Sequence, residues 1–197
     1  MGKAIVLKKD QKINLTKDTD VLKVVRCVLS WQTPDDVFPK YDLDVSAFLL
    51  GSNGKMLDED SLIFYNSPEI TVKGVVVNGA VDGSVWKSAD EREGGTEEMY
   101  IDVTKLSSAV HEVSLIVTIH KAKVRKQSFD KVKGASIEIY NDQTGEKLAE
   151  FVLSDIASGS TSVQVGSFYQ SENEFVFQAV AASYQLELAD FVEGYSE

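Results

Sequence analysis

Short segments rich in β-branched and aromatic residues recur along this chain, and turn-forming residues separate them. Clear examples lie at residues 113–120, 135–140 and 175–180. Such side chains favour the pleated, half-buried surface of a sheet, and their short, regular spacing fits strands better than strand-helix-strand units. The pattern predicts a mainly all-β fold, a two-layer antiparallel β-sandwich with few short helices. One terminal helix is expected over residues 184–192.

Length and charge narrow the class of protein further. The chain has 197 residues, a net charge of -11 and 43% hydrophobic residues. We expect a single domain over residues 1–197. Binding of nucleic acid through its phosphates needs basic patches, so no nucleic-acid partner is expected. The negative charge either attracts cations or only keeps the protein soluble.

The apolar runs of the sequence are short. None approaches the roughly 20 apolar residues that a membrane span requires, and residues 1–10 lack the apolar core of a secretory signal. We therefore predict a cytoplasmic protein without a membrane span. The sequence leaves the oligomeric state open.

One predicted strand combines an apolar face with an acidic face. Alternate residues from Leu43 to Leu49 are apolar, whereas Asp42, Asp44 and Ser46 lie between them. Successive side chains of a strand point to opposite faces, so the apolar face is expected in the core. The two carboxylates on the other face are about 7 Å apart, close enough to share a hard cation and to repel each other without one.

Other segments offer further oxygen ligands for such a cation. Asn66 follows a predicted strand at residues 62–65, and an acidic loop at residues 88–95 leads to Glu97. Asp35 and Asp36 lie in a loop that two prolines exclude from regular pairing. Each has a structural alternative, because aspartate and asparagine commonly stabilise turns and acidic loops are often simply solvated.

Catalytic motifs are missing from the sequence. No serine or cysteine lies in a nucleophile motif, no glycine loop suits phosphate, and no histidine or cysteine cluster has zinc spacing. His120 at a strand end is a candidate base, but a structural role is more common. The single cysteine, Cys27, alternates with Val25 and Leu29, which predicts a buried, inert thiol. The protein is therefore predicted not to be an enzyme.

A basic segment stands out from the acidic background. Its cationic residues are Lys121, Lys123, Arg125, Lys126, Lys131 and Lys133. A local positive patch suits an acidic protein partner, and the alternative is a set of solvated lysines.

Several blocks of the sequence, in order and spacing, resemble the TerD domain of tellurite-resistance and general stress proteins. The resemblance covers nearly the whole chain, and so many blocks in order are more specific than a single Asp-x-Asp pair. The matching blocks are residues 9–17, 42–50, 62–66, 117–120, 141–146, 166–169 and 175–180, with Arg125, Gln127 and Phe129.

This resemblance implies a calcium-binding β-sandwich with acidic residues at one end of its sheets. It also implies a role in resistance to tellurite and other stresses, with protein partners in a stress-response complex. By position, Asp42 and Asp44 match the family's paired aspartates, and Asn66 matches the asparagine after its Phe-Tyr pair. Glu97 aligns best with the glutamate of its Gly-Asp-Asp-Glu block. The implied metal ligands are thus Asp42, Asp44, Asn66 and Glu97.

Departures from the family pattern bear on the calcium prediction. Residues 94–97 read Gly-Gly-Thr-Glu, so both aspartates of that block are missing, and Lys121 stands where aspartate is usual. The preceding family loop is not recognisable, although Asp82 or Asp90 are candidate substitutes. Calcium affinity depends on the ligand charge count. The leading hypothesis is loss of one of two calcium sites, and the alternative is a metal-free TerD-like scaffold that binds a partner protein.

Overall fold

The computed structural model describes residues 4–16, 22–32, 37–88, 95–153, 158–171 and 174–196. Fourteen strands in these ranges form two sheets. The strands are β1 (Ile5–Val6), β2 (Lys12–Asn14), β3 (Val24–Gln32), β4 (Leu43–Leu50), β5 (Leu62–Ile63), β6 (Glu69–Val72), β7 (Val75–Gly79), β8 (Val85–Lys87), β9 (Gly95–Asp102), β10 (Glu112–Ile119), β11 (Lys133–Asn141), β12 (Glu146–Val152), β13 (Ser162–Gln170) and β14 (Phe175–Tyr184). The α-helices are α1 (Ala122–Arg125) and α2 (Leu188–Ser196).

The two sheets differ in width. One has eight strands in the order β1-β12-β11-β3-β9-β8-β7-β6, and the other has six in the order β2-β14-β13-β10-β4-β5. Strand neighbours are antiparallel except for β1 and β12, which are parallel. The predicted two-layer β-sandwich with few short helices is confirmed, with this one parallel pair as an exception.

The core lies between the sheets because alternate residues of each strand point inward. A single apolar cluster includes Leu29 of β3, Leu115 of β10 and Phe168 of β13, all fully buried. The predicted inner face of β4, from Leu43 to Leu49, belongs to the same cluster. Cys27 is 1% exposed there, and burial raises the pKa of its thiol. The predicted buried thiol is thus in place.

A second apolar cluster lies on the outer face of the six-stranded sheet, where α2 covers β4 and β10. Phe48, Leu50 and Ile116 are buried against Phe191 of this helix. The ring centroids of Phe48 and Tyr195 are 4.9 Å apart. The apolar residues of β4 on this side are therefore explained by the helix that packs on them.

The terminal helix begins later than the sequence predicts. Tyr184 is still part of β14 and pairs with Ser162, and the Ser162 hydroxyl then donates to the Leu186 carbonyl at 2.9 Å. These contacts keep the chain extended, so the prediction of a helix over residues 184–192 is wrong at both ends. The backbone amide of Glu187 donates to the Asp190 carboxylate at 2.7 Å, as expected for a helix start.

β5 is shorter than the strand predicted over residues 62–65. The amide of Phe64 donates to the Ser67 hydroxyl at 3.0 Å, and that hydroxyl donates to the Leu62 carbonyl at 3.1 Å. This turn ends β5 after two residues, so it pairs with β4 only at Ala47 and Phe48. At Val45, the edge of β4 that faces away from β10 therefore has no pairing with β5.

No helix in the described part of the chain is long and apolar enough to cross a membrane.

Gly166 in β13 sits at a close approach of two strands. A Cβ atom there would lie 2.4 Å from the Gln178 carbonyl oxygen and 2.4 Å from a ring carbon of Phe177. The register between β13 and β14 also shifts between Gln164 and Gly166. Glycine in a strand often marks such a place.

We predict that Gly166→Ala lowers the free energy of unfolding by about 1–3 kcal/mol, the usual effect of overfilling a packed site. Urea unfolding followed by tryptophan fluorescence measures this. The matched control is Gly194→Ala in α2, where an added Cβ meets nothing within 4 Å and helix propensity should keep or slightly raise stability. Equal urea midpoints for Gly166→Ala and wild type would contradict the prediction.

Candidate functional site: an acidic rim at the start of β4

Three carboxylates gather where β4 begins, and we call Asp42, Asp44 and Glu97 the acidic rim. Asp42 and Asp44 lie at the start of β4 and are 7% and 4% exposed. Across the ladder, Thr118 of β10 pairs with Asp44, and the His120 amide donates to the Asp42 carbonyl at 2.8 Å. The sequence suggested a face open to water or to a cation. The structure buries both carboxylates instead.

Basic side chains approach both aspartates. His120 Nδ1 lies 3.6 Å from Asp44 Oδ2, and Arg125 Nη1 lies 3.7 Å from Asp42 Oδ2. Arg125 reaches this place because α1 follows β10 at once, after Lys121 turns the chain with a positive φ of 54°. Both distances are longer than those of direct hydrogen bonds, and the Arg125 contact is an ion pair. Positive charge therefore lies beside the acidic rim within the protein itself.

Glu97 joins the rim from the other sheet. It lies in β9, its side chain is fully buried, and its Oε2 accepts a hydrogen bond from the Val45 amide at 2.8 Å. The Asp42 carbonyl points toward β10, so by alternation the Val45 amide points to the opposite edge of β4. β5 does not extend that far. The Glu97 carboxylate thus takes the place of a strand neighbour and connects the two sheets.

The second oxygen of Glu97 has a charged partner. Lys87 of β8 donates from its Nζ to Glu97 Oε1 at 2.9 Å, and the Lys87 side chain is 1% exposed. Both oxygens of Glu97 are therefore occupied, one by an ammonium group and one by a backbone amide.

Asn66 lies in the turn after β5 and is exposed. The neighbouring Tyr65 ring contacts the His120 ring edge-on, with centroids 6.2 Å apart. Since His120 is beside Asp44, this turn belongs to the same end of the sandwich. The structure thus places Asp42, Asp44 and the turn of Asn66 at one end of the sandwich. Glu97 reaches the Val45 amide from the core side, whereas Asp42 and Asp44 alternate with the core residues of β4 and lie on its other face.

The residues present fit a metal ion in part. Glu97 does not fit as a ligand, because Lys87 and the Val45 amide hold its oxygens. Asp42 and Asp44 fit as a pair of carboxylates on one strand face. Over the ranges that the structure covers, no group of three or more histidine, cysteine, aspartate or glutamate residues is placed to hold a metal. The four-residue ligand set stays a prediction.

Three other candidates lie outside the described residues, namely Asp35, Asp36 and Asp90. Asp82 is described, and its side chain accepts a hydrogen bond from the Ser84 amide at 2.8 Å. That contact is a turn contact of the kind that aspartate commonly makes.

Two functional residues were not identified from the sequence. Arg125 was assigned to the surface patch, but it turns inward to Asp42. No role is predicted for Lys87 from the sequence, although the alternation of residues in its strand indicates that its side chain is buried. Val85 and Lys87 lie on the same face of a strand, and Val85 is a core residue, so alternation points Lys87 inward.

The remaining basic residues are placed as expected on the surface. The described lysines of this group are all exposed, and Val124 between them is 81% exposed. We call them the basic patch: Lys121, Lys123, Lys126, Lys131 and Lys133.

Comparison with known proteins agrees with this architecture. The TerD domain model matches residues 3–195. A tellurium resistance protein TerD from Serratia marcescens is 33% identical over 196 residues, covering 98% of this chain and 97% of the relative. General stress protein 16U of Bacillus subtilis is also 33% identical over 196 residues, covering 97% and 96%.

The fold has a counterpart among solved structures. The crystal structure of a homologue of telluride resistance protein (TerD) from Streptomyces coelicolor A3(2) superimposes with a TM-score of 0.69 at 20% identity, covering 90% of this chain and 100% of that one. The likeness in fold and the match over nearly all residues lead to one conclusion: this chain belongs to the TerD domain family.

Proposed function

We propose that this protein is a non-enzymatic component of a tellurite-resistance and stress response, and that one calcium ion orders its acidic rim. The relatives named for tellurium resistance and general stress support the response. Asp42 and Asp44 lie where β4 begins, so a cation bound to them would stabilise the start of this strand and the loops around it. The cytoplasmic location and the single domain stay predictions.

The observation that carries the calcium proposal is the pair of carboxylates at the start of β4. Asp42 and Asp44 are both buried and lie on one face of the strand, which is an unfavourable place for two like charges without nearby positive charge. Calcium prefers carboxylate oxygens and would supply two positive charges there. Asp42 and Asp44 would hold it, and the turn that carries Asn66 lies at the same end of the sandwich. Glu97 is left out, so a second ion is not proposed.

The basic groups beside the two aspartates limit the affinity for calcium. Arg125 and His120 already approach the two aspartates, so calcium must compete with them. A site with few carboxylates and nearby positive charge binds calcium weakly.

We predict that calcium raises the melting temperature of wild type and that a chelator reverses the change. A ligand at a hundred times its dissociation constant adds about 2.7 kcal/mol of stability. The variant Asp42→Asn with Asp44→Asn should lose this response and the heat of calcium binding in titration calorimetry. The control variant Glu59→Gln with Asp60→Asn removes two exposed carboxylates of a short 3₁₀ turn and should keep both.

A tellurite survival assay connects binding with function. Cells that lack the native gene should regain resistance with wild type and with the control variant, and less with the double Asp→Asn variant. Wild type that gives no binding heat would rule out the calcium proposal and leave the family role intact.

The second candidate function is a metal-free scaffold that binds an acidic partner protein. The observation in its favour is the basic patch, five exposed lysines within residues 121–133 of an acidic protein, a segment that also exposes Val124. Lys123 lies 3.9 Å from the carboxylate of Asp190. Opposite charges on two surfaces raise association rates and weaken with salt.

We predict that a partner co-purified from stressed host cells is released by raising the salt from about 0.05 to 0.5 M, since the Debye length falls well below 10 Å. The variant Lys121→Glu with Lys126→Glu should lose the same partner. Lys55→Glu with Lys105→Glu makes the same charge change outside the basic patch and should retain it. Equal capture by both double variants would contradict the scaffold proposal.

A further inference from the structure

We propose that Lys87 is a built-in cation of the acidic rim: its ammonium group neutralises Glu97 in place of a metal ion and keeps divalent ions away from it. The contact that Glu97 makes between the two sheets then forms without a metal ion. The inference goes beyond the calcium proposal, because it concerns Glu97 and holds whether or not Asp42 and Asp44 bind calcium.

The first support is the geometry of three strands that meet at one carboxylate. Lys87 comes from β8, Glu97 from β9 and the Val45 amide from β4. β8 and β9 are neighbours in the eight-stranded sheet, whereas β4 belongs to the six-stranded sheet. The carboxylate is therefore a direct polar link between the layers at a place where β5 does not cover β4.

The second support is burial. The side chains of Lys87 and Glu97 are 1% and 0% exposed. A charge removed from water in this way is very unfavourable unless it is paired and hydrogen-bonded. Glu97 meets this requirement with one charged and one neutral donor, at 2.9 Å and 2.8 Å. The ammonium group is thus a requirement of the fold rather than a surface ion pair.

The third support is the strand register, which fixes both side chains on the inner face. Lys87 pairs with Met99, and Glu97 lies two residues before Met99 on β9. Residues two apart on a strand share a face, so Lys87 and Glu97 form a diagonal cross-strand pair. Met99 is fully buried, which shows that this face is the core side.

Exclusion of divalent ions follows from the occupied oxygens. A metal ion at Glu97 would have to displace the Lys87 ammonium group, because the two positive charges repel each other. This explains why the glutamate that sequence reasoning placed among the metal ligands is bound within the protein.

A double-mutant cycle tests the pairing. Lys87→Met leaves the Glu97 carboxylate without its ammonium partner and should lower the melting temperature strongly. Lys87→Met with Glu97→Gln removes both charges and should recover at least half of that loss, because the amide can still accept from the Val45 backbone. Lys131→Met, an exposed lysine of the basic patch, controls for loss of one positive charge.

The cycle has two clear results. A double variant more stable than Lys87→Met supports the proposal, including the case in which only the double variant folds. A double variant no more stable than the single one overturns it, including the case in which neither folds.

Calcium chloride is the probe for the exclusion of metal. Lys87→Ala opens space beside Glu97, so calcium should raise its melting temperature by more than it raises that of wild type, and adding Glu97→Gln should remove the extra rise. If calcium raises the melting temperature of Lys87→Ala by no more than that of wild type, the claim that Lys87 takes the place of a metal ion is overturned. The wild-type response alone reports on the Asp42 and Asp44 proposal, so the two proposals can fail separately.

Discussion

The polar contact between the two sheets depends on one carboxylate, that of Glu97, which has no contact with water. Glu97 is fully buried, with an ammonium group on one oxygen and a backbone amide of the facing sheet on the other. Apolar burial holds sandwich layers together but says little about their exact offset. A directed, charge-assisted hydrogen bond between layers is sensitive to that offset. The position of β9 against β4 is therefore specified by polar contacts within an otherwise apolar interface.

The rest of the rim follows from the same constraint on buried charge. Asp42 and Asp44 each have a basic group near them. One of these groups, Arg125, belongs to α1, which places it beside Asp42. The basic groups explain how the sandwich can tolerate these carboxylates, and they set the competition that any bound cation must overcome.

Alternation along strands was sufficient to predict the sandwich and the inner face of β4, because period-two patterns report directly on burial. The same rule pointed to Lys87, but a lysine between Trp86 and Ser88 gives no hint of its acidic partner. That partner depends on the register of β8 against β9. The other contact of Glu97, with the Val45 amide, depends on where β5 stops, which is at the turn closed by the Ser67 hydroxyl. The late start of α2 likewise depends on the side-chain contact between Ser162 and Leu186. Contacts between distant segments carry no local sequence signal.

The apolar cover that α2 provides has a consequence for how the molecule is made. This helix comes after all fourteen strands in chain order, yet it shields Phe48, Leu50 and Ile116 in the middle of the six-stranded sheet. A ribosome must therefore release residues 188–196 before that sheet can hide its outer surface. Until then this apolar surface of the nascent chain is exposed. Chaperones bind such surfaces, and such surfaces promote aggregation of incomplete chains.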